Sequence, residues 1–134
     1  MFISEQITVP ANTDEADPVI SHVKVSPDVL HYIAVQFPPG CRGLAHVRVY
    51  ANEHPVFPSD PAKDIAADSW TVESALIHQF DPGYSELKII AWNEDDTYGH
   101  TVTVYASVLE RKFLFPQESI SFQIADFLRL FRRR

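Results

Sequence analysis

The sequence predicts an all-β fold: a single antiparallel β-sandwich, jelly-roll-like, with a C-terminal amphipathic helical tail. Three observations lead there. Five segments alternate apolar and polar residues and are rich in β-branched and aromatic side chains, the pattern of half-buried strands. Between them lie short runs with turn chemistry: PPGCRG (Pro38–Gly43), SPD (Ser26–Asp28), DPG (Asp81–Gly83) and NEDDTYG (Asn93–Gly99). In the last stretch the period changes. Ile120, Ile124, Phe127, Leu128 and Phe131 follow at spacings of four, three, one and three, an apolar stripe on a helix.

Taken in order, Ser4–Val9 and Ser21–Val25 are the weaker strands. In Val29–Phe37, Val29, Ile33, Val35 and Phe37 share a face that His31 interrupts. In Leu44–Tyr50, Ala45, Val47 and Val49 oppose His46, Arg48 and Tyr50. His54–Asp64 holds Pro55, Pro58 and Pro61 and cannot be a central strand, because proline has no ladder donor. It reads as a rigid loop that pins Val56 and Phe57 to the sheet. Ser69–Phe80 places Trp70, Val72, Leu76 and Phe80 on one side. Leu87, Ile89 and Ala91 oppose Lys88, Ile90 and Trp92. Val102, Val104, Ala106 and Val108 oppose Thr101, Thr103, Tyr105 and Ser107. The expected core therefore rests on Trp70, Val72, Leu76, Leu87, Ile89, Val102, Val104 and Val108. No helix is expected before residue 116. The tail should run extended to about residue 122 and then turn helical, with Ser119 or Ser121 as the cap. The division is an N-terminal arm over 1–18, a sandwich domain over 19–112 and a basic tail over 113–134.

A chain of 134 residues suits one domain that buries roughly two thirds of its unfolded surface, so it needs neither disulfide nor metal to fold. Cys41 is the single cysteine, which rules out an internal disulfide. The opening MFISEQITVPANTDE has no basic leader and no apolar core, so no signal peptide is expected, and no run is long enough to span a bilayer. Net charge is −7. Asp126–Arg134 holds one Asp and four Arg, or +3, which leaves −10 on residues 1–125. An acidic body argues against nucleic acid as the main partner.

Chemically, the densest stretch is AWNEDDTYGHTVTVY (Ala91–Tyr105). Glu94, Asp95 and Asp96 are adjacent rather than alternating, unlike a calcium loop, and neighbouring strand residues point to opposite faces. The stretch reads as a hairpin turn with Ile89–Trp92 and Val102–Tyr105 as its arms. The six histidines form no H-x-H or H-x₃-H pair, so no metal site and no cofactor is expected. Cys41 and His46 are the nearest thiol and imidazole, but a turn between strands lacks the helix N-terminus that activates a cysteine. No nucleophile elbow, phosphate loop or dinucleotide fingerprint occurs, so the expectation is a non-enzyme. Trp92, Tyr98 and Tyr105 lie near one predicted hairpin and would form a patch able to bind sugar or another protein.

The run VQFPPGCRGLAHVRVY, then VFPSDPAKDIAADSW, then LKIIAWNEDDTYGHTVTVYASV resembles a type of small β-sandwich virion protein of tailed phages. The resemblance covers residues 20–110 and is carried by F-P-P-G-C, V-x-V, a proline-bearing loop and W-N-x-D-D-x-x-x-H. It implies a structural role of the decoration or cement type, located in a virion; without a viral source the cytoplasm is the expectation. The partners expected are protein subunits, in a homo-oligomer or capsid-type assembly. The terminal arms are the expected contacts. In the tail, Ile124, Phe127, Leu128 and Phe131 supply apolar area, while Arg129, Arg132, Arg133 and Arg134 meet acidic surface. A basic amphipathic helix also suits anionic lipid, but the acidic body would be repelled by it, which disfavours a membrane.

Overall fold

The computed structural model describes residues 1–117, 128 and 129. Its strands are β1 (Phe2–Val9), β2 (Val19–Lys24), β3 (Val29–Phe37), β4 (Ala45–Ala51), β5 (His54–Phe57), β6 (Trp70–Gln79), β7 (Glu86–Asn93) and β8 (His100–Leu109). A single helical turn, α1 (Arg111–Leu114), follows β8, where no helix is expected from the sequence. The strands form two antiparallel four-stranded sheets, in the orders β1-β8-β3-β6 and β2-β7-β4-β5, stacked as a sandwich. Only β4 and β5 are consecutive strands paired in one sheet.

Period two does what the sequence predicts in the central strands. Ala45, Val47 and Val49 of β4, Leu87, Ile89 and Ala91 of β7, and Val102, Val104, Ala106 and Val108 of β8 are buried between the sheets. Their cluster continues through Ile33, Val35 and Phe37 of β3 and takes in Phe80. At His31 the β3 register shifts, so that Val29 and Leu30 are both buried; the interruption in the pattern is a bulge. The proline-bearing segment supplies β5, a four-residue edge strand whose Phe57 is buried.

Three expectations are corrected. First, β7 and β8 are not the arms of a hairpin. Both edges of β7 are taken by β2 and β4, and both edges of β8 by β1 and β3, so the 94–99 connection crosses from one sheet to the other. Second, Phe2–Val9 is not an arm. It is β1, paired with β8 residue for residue from Phe2↔Ser107 to Val9↔His100, and its Ile3, Ile7 and Val9 are core. Third, Trp70 is not core. It has the parity of the inward face, opposite Phe37, but it opens an edge strand and is 67 % exposed. Val72 and Leu76 on the same strand are half-buried against the cluster. The helical tail expected beyond residue 122 lies outside the described residues, apart from Leu128 and Arg129.

Candidate functional site

The W-N-x-D-D-x-x-x-H stretch is a self-contained knot of hydrogen bonds at one end of the sandwich. Asn93, fully buried at the end of β7, organises it. Its Nδ2 donates to the carbonyls of Val9 (3.3 Å), Pro10 (3.3 Å) and Tyr98 (2.9 Å), and its Oδ1 accepts from the Asp95 amide (3.0 Å). Asp95 is also buried. Its Oδ1 accepts from the amides of Thr97 (2.9 Å) and Tyr98 (3.1 Å), and its Oδ2 lies 2.8 Å from Nε2 of the buried His100. The Thr97 amide, then His100 and the Tyr98 amide, hold the Asp95 carboxyl below its ordinary range. Gly99 closes the loop against β1, since a Cβ there would meet the Val9 carbonyl at 3.3 Å. Nothing in the hydrophobic pattern flags Asn93; the local signal is an Asx residue where a strand gives way to a turn.

The three acids diverge. Glu94 lies exposed on the outer face of β2-β7-β4-β5, its Oε2 3.2 Å from His46 Nε2, and Asp96 is exposed and accepts from the Thr97 hydroxyl. Among the described residues, no group of three or more His, Cys, Asp and Glu is placed to hold a metal ion.

Trp92, Tyr98 and Tyr105 do not share a patch. Trp92 is 3 % exposed on the outer face of β2-β7-β4-β5, stacked on the His46 ring (centroids 5.1 Å, planes at 6°) with the Arg48 guanidinium 4.8 Å away. Tyr105 is on the outer face of β1-β8-β3-β6, where its hydroxyl donates to Gln36 Oε1 at 3.0 Å. Tyr98 is exposed in the loop between them. Because β7 and β8 belong to different sheets, the first two rings look away from each other across the sandwich.

The rest of the Trp92 face is a lattice of ion pairs. The His46 imidazole lies between Asp64, in contact with Nδ1, and Glu94. Arg48 pairs with Glu15 at 2.9 Å and donates to the Lys63 carbonyl at 2.9 Å. Lys88 pairs with Glu53 and lies 5.0 Å over the Tyr50 ring, and His22 pairs with Glu86. Cys41 is buried, and burial, then Asp68 and Asp95, push its thiol up, away from the reactive thiolate. Of the tail residues named from the sequence, Leu128 and Arg129 are exposed. Ile124, Phe127, Phe131, Arg132, Arg133 and Arg134 lie outside the described residues. No helix among the described residues is long and apolar enough to cross a membrane.

No protein-family model and no curated protein sequence matches the chain. Solved structures do. A chain of the cyanophage Pam1 capsid asymmetric unit matches with a TM-score of 0.55 at 10 % identity, over 79 % of this chain and 81 % of that one. PirA matches with a TM-score of 0.41 at 14 % identity, over 78 % and 93 % of the two chains. An exo-β-1,3-galactanase from Phanerochaete chrysosporium matches at 0.38 and 12 % identity, with 80 % of this chain against 27 % of the enzyme. The first likeness is one of fold.

Proposed function

We propose that the protein is a non-enzymatic structural component of a virion, a jelly-roll domain of the decoration or cement type that works by binding neighbouring protein subunits. The observation that carries this reading is the fold shared with the Pam1 capsid chain over about four fifths of both chains. The jelly-roll reading is supported by connections that change sheet at every step except β4 to β5. Two surfaces support subunit binding. Strand β6 pairs on one side only, with β3, and its ten residues carry exposed Ile77 and a single carboxylate, Glu73. An edge of that length and composition is one that proteins normally cover. The tail adds an apolar stripe of Ile124, Phe127, Leu128 and Phe131, whose burial contributes about 25 cal/mol per Å².

The test is the native mass, by light scattering, of the full chain and of a chain lacking residues 119–134, alone and mixed with purified capsids of the parent virus. The full chain should form an oligomer or sediment with capsids, and the truncated chain should keep its β circular dichroism but lose that association. Identical assembly by both chains removes the tail from the interface. A full chain that stays monomeric and ignores capsids overturns the structural role, and flotation of the full chain alone with anionic liposomes moves the reading to a membrane surface.

A further inference from the structure

The outer face of β1-β8-β3-β6 carries a depression of about 410 Å³ at the β6 end that Trp70 opens. That volume falls in the range of small-molecule sites, about 300–1,000 Å³. From these features we infer that the depression is a binding site for a neutral oligosaccharide, with Trp70 as the stacking platform. Three features carry the inference.

The first is a row of uncharged polar side chains. Strand pairing aligns Gln6 with Thr103, Thr103 with Gln36, and Gln36 with Thr71, one residue from each of the four strands. At a strand spacing of about 4.8 Å, the row spans roughly 14 Å. Because successive residues alternate faces, all four project to the same outer side. They present two carboxamides and two hydroxyls, each able both to donate and to accept, which is the chemistry that matches a sugar hydroxyl.

The second is that this capacity is unspent. Among the described residues, the side chains of Gln6, Thr71 and Thr103 make no hydrogen bond to the protein. Gln36 spends its Oε1 on the Tyr105 hydroxyl, which fixes the carboxamide with Nε2 as a free donor. No Asp, Glu, Lys or Arg lines the depression, although the chain carries −7 overall. A charged ligand would find no partner there.

The third is the indole. Trp70 lies beside the row with 67 % of its surface exposed, so its area is not used by the core. An exposed ring with an apolar body next to free hydrogen-bonding groups suits a ligand that has an apolar face and a hydroxylated rim. The ring is set by its surroundings. Ser69 has φ +50°, in the left-handed region, and its amide bonds the Pro38 carbonyl at 3.4 Å, so the turn delivers Trp70 beside the Pro38–Pro39 wall. The site goes beyond the structural role proposed above and does not depend on it.

Titration of the full chain with cellohexaose, maltohexaose, xylohexaose and β-1,3-galactotriose, read by tryptophan fluorescence and by isothermal calorimetry, tests the site, with tetragalacturonate as the charged control. At least one neutral oligomer should bind and shift the indole emission, and tetragalacturonate should not. Trp70→Ala should weaken binding by about tenfold or more, the loss of an aromatic anchor. Trp70→Phe should restore part of it, and Gln36→Ala should weaken it without changing the melting temperature. Failure of all four neutral oligomers to bind overturns the inference, as does binding that survives both Trp70→Ala and Gln36→Ala. A change in self-association on Trp70→Ala with no sugar bound would make the depression a protein contact and would equally overturn it.

Discussion

The two outer faces of the sandwich are built on opposite plans. On β2-β7-β4-β5, Trp92 is covered by His46 and Arg48, and these are in turn held by Asp64, Glu94 and Glu15. On β1-β8-β3-β6, the row Gln6–Thr103–Gln36–Thr71 is neutral and Trp70 stands uncovered. Each face has a tryptophan at a strand end, yet one is 3 % and the other 67 % exposed. The difference lies in their neighbours. Trp92 is on β7, a central strand flanked by β2 and β4, so side chains from both sides lean over it. Trp70 is on β6, an edge strand with one neighbour. Polar groups already matched to one another have little left to offer a ligand, whereas groups satisfied only by water can exchange it for one.

The comparison predicts its largest effect at Trp92. Trp92→Ala removes a buried ring and leaves the His46 and Arg48 side chains without the surface they stack on. The expected loss is about 3–5 kcal/mol in urea unfolding, as for buried Phe and Trp sites elsewhere. A loss below about 1 kcal/mol would mean that the ion-pair lattice closes over the gap, and that this face is held by charge rather than by the ring.

Next in size is the loop that joins the two sheets. Asn93→Ala leaves the Val9, Pro10 and Tyr98 carbonyls and the Asp95 amide without their partner. Leaving buried polar groups unsatisfied costs about 1–3 kcal/mol. Because the bonds tie β1 to the β7–β8 connection, the same variant should speed amide hydrogen exchange at Asp95, Thr97 and Tyr98 while leaving exchange in β3 unchanged. Uniform acceleration would instead make the loop part of the global unfolding unit.

Acid should act in two steps. The Asp95 carboxyl is held below its ordinary 3.8, so between that value and its folded one the unfolded chain binds more protons; its stabilisation is full above 3.8 and is lost as pH falls through the folded value. His78 works in a higher window. Burial, then the neighbouring His54, lower its value from 6.5, so the unfolded chain takes up a proton first and stability declines as pH falls below 6.5. Unfolding midpoints against pH should show both limbs. Asp95→Asn should flatten the lower limb and His78→Gln the upper one, and a profile unchanged in both variants would sever the link.

How much of this could be read from the sequence varies from element to element. The inward faces of β4, β7 and β8 are legible because their alternation is strict and they lie in mid-sheet. Sheet membership is not legible: a hairpin and a connection that crosses the sandwich ask for the same period of two, so Ile89–Trp92 and Val102–Tyr105 look like partners when they are not. The predicted aromatic patch fails with that pairing, since it needs Trp92 and Tyr105 on one surface. Asn93 is invisible to any hydrophobic pattern because its work is done through carbonyls distant in sequence. The free row on β1-β8-β3-β6 is invisible for a related reason. Gln6, Gln36, Thr71 and Thr103 come from four strands and become neighbours only through register.

The smallest expected effect on stability is at Trp70, and it tests the comparison most directly. Parity puts Trp70 on the inward side of β6, opposite Phe37, and by that rule its removal should cost as much as any core residue. Parity, however, decides direction and not cover. Phe37 is 1 % exposed because it lies on β3, between β8 and β6, with the second sheet over it; Trp70 begins an edge strand and keeps most of its surface in water. Little apolar area is therefore returned to solvent when the ring is deleted. Trp70→Ala should shift unfolding free energy by no more than about 0.5 kcal/mol, the range of surface substitutions. Trp92→Ala, measured beside it in the same buffer, supplies the contrast. A loss at Trp70 approaching that at Trp92 would show that the ring packs inward in solution. It would also close the proposed sugar site, because a ring engaged with the core has no face to offer.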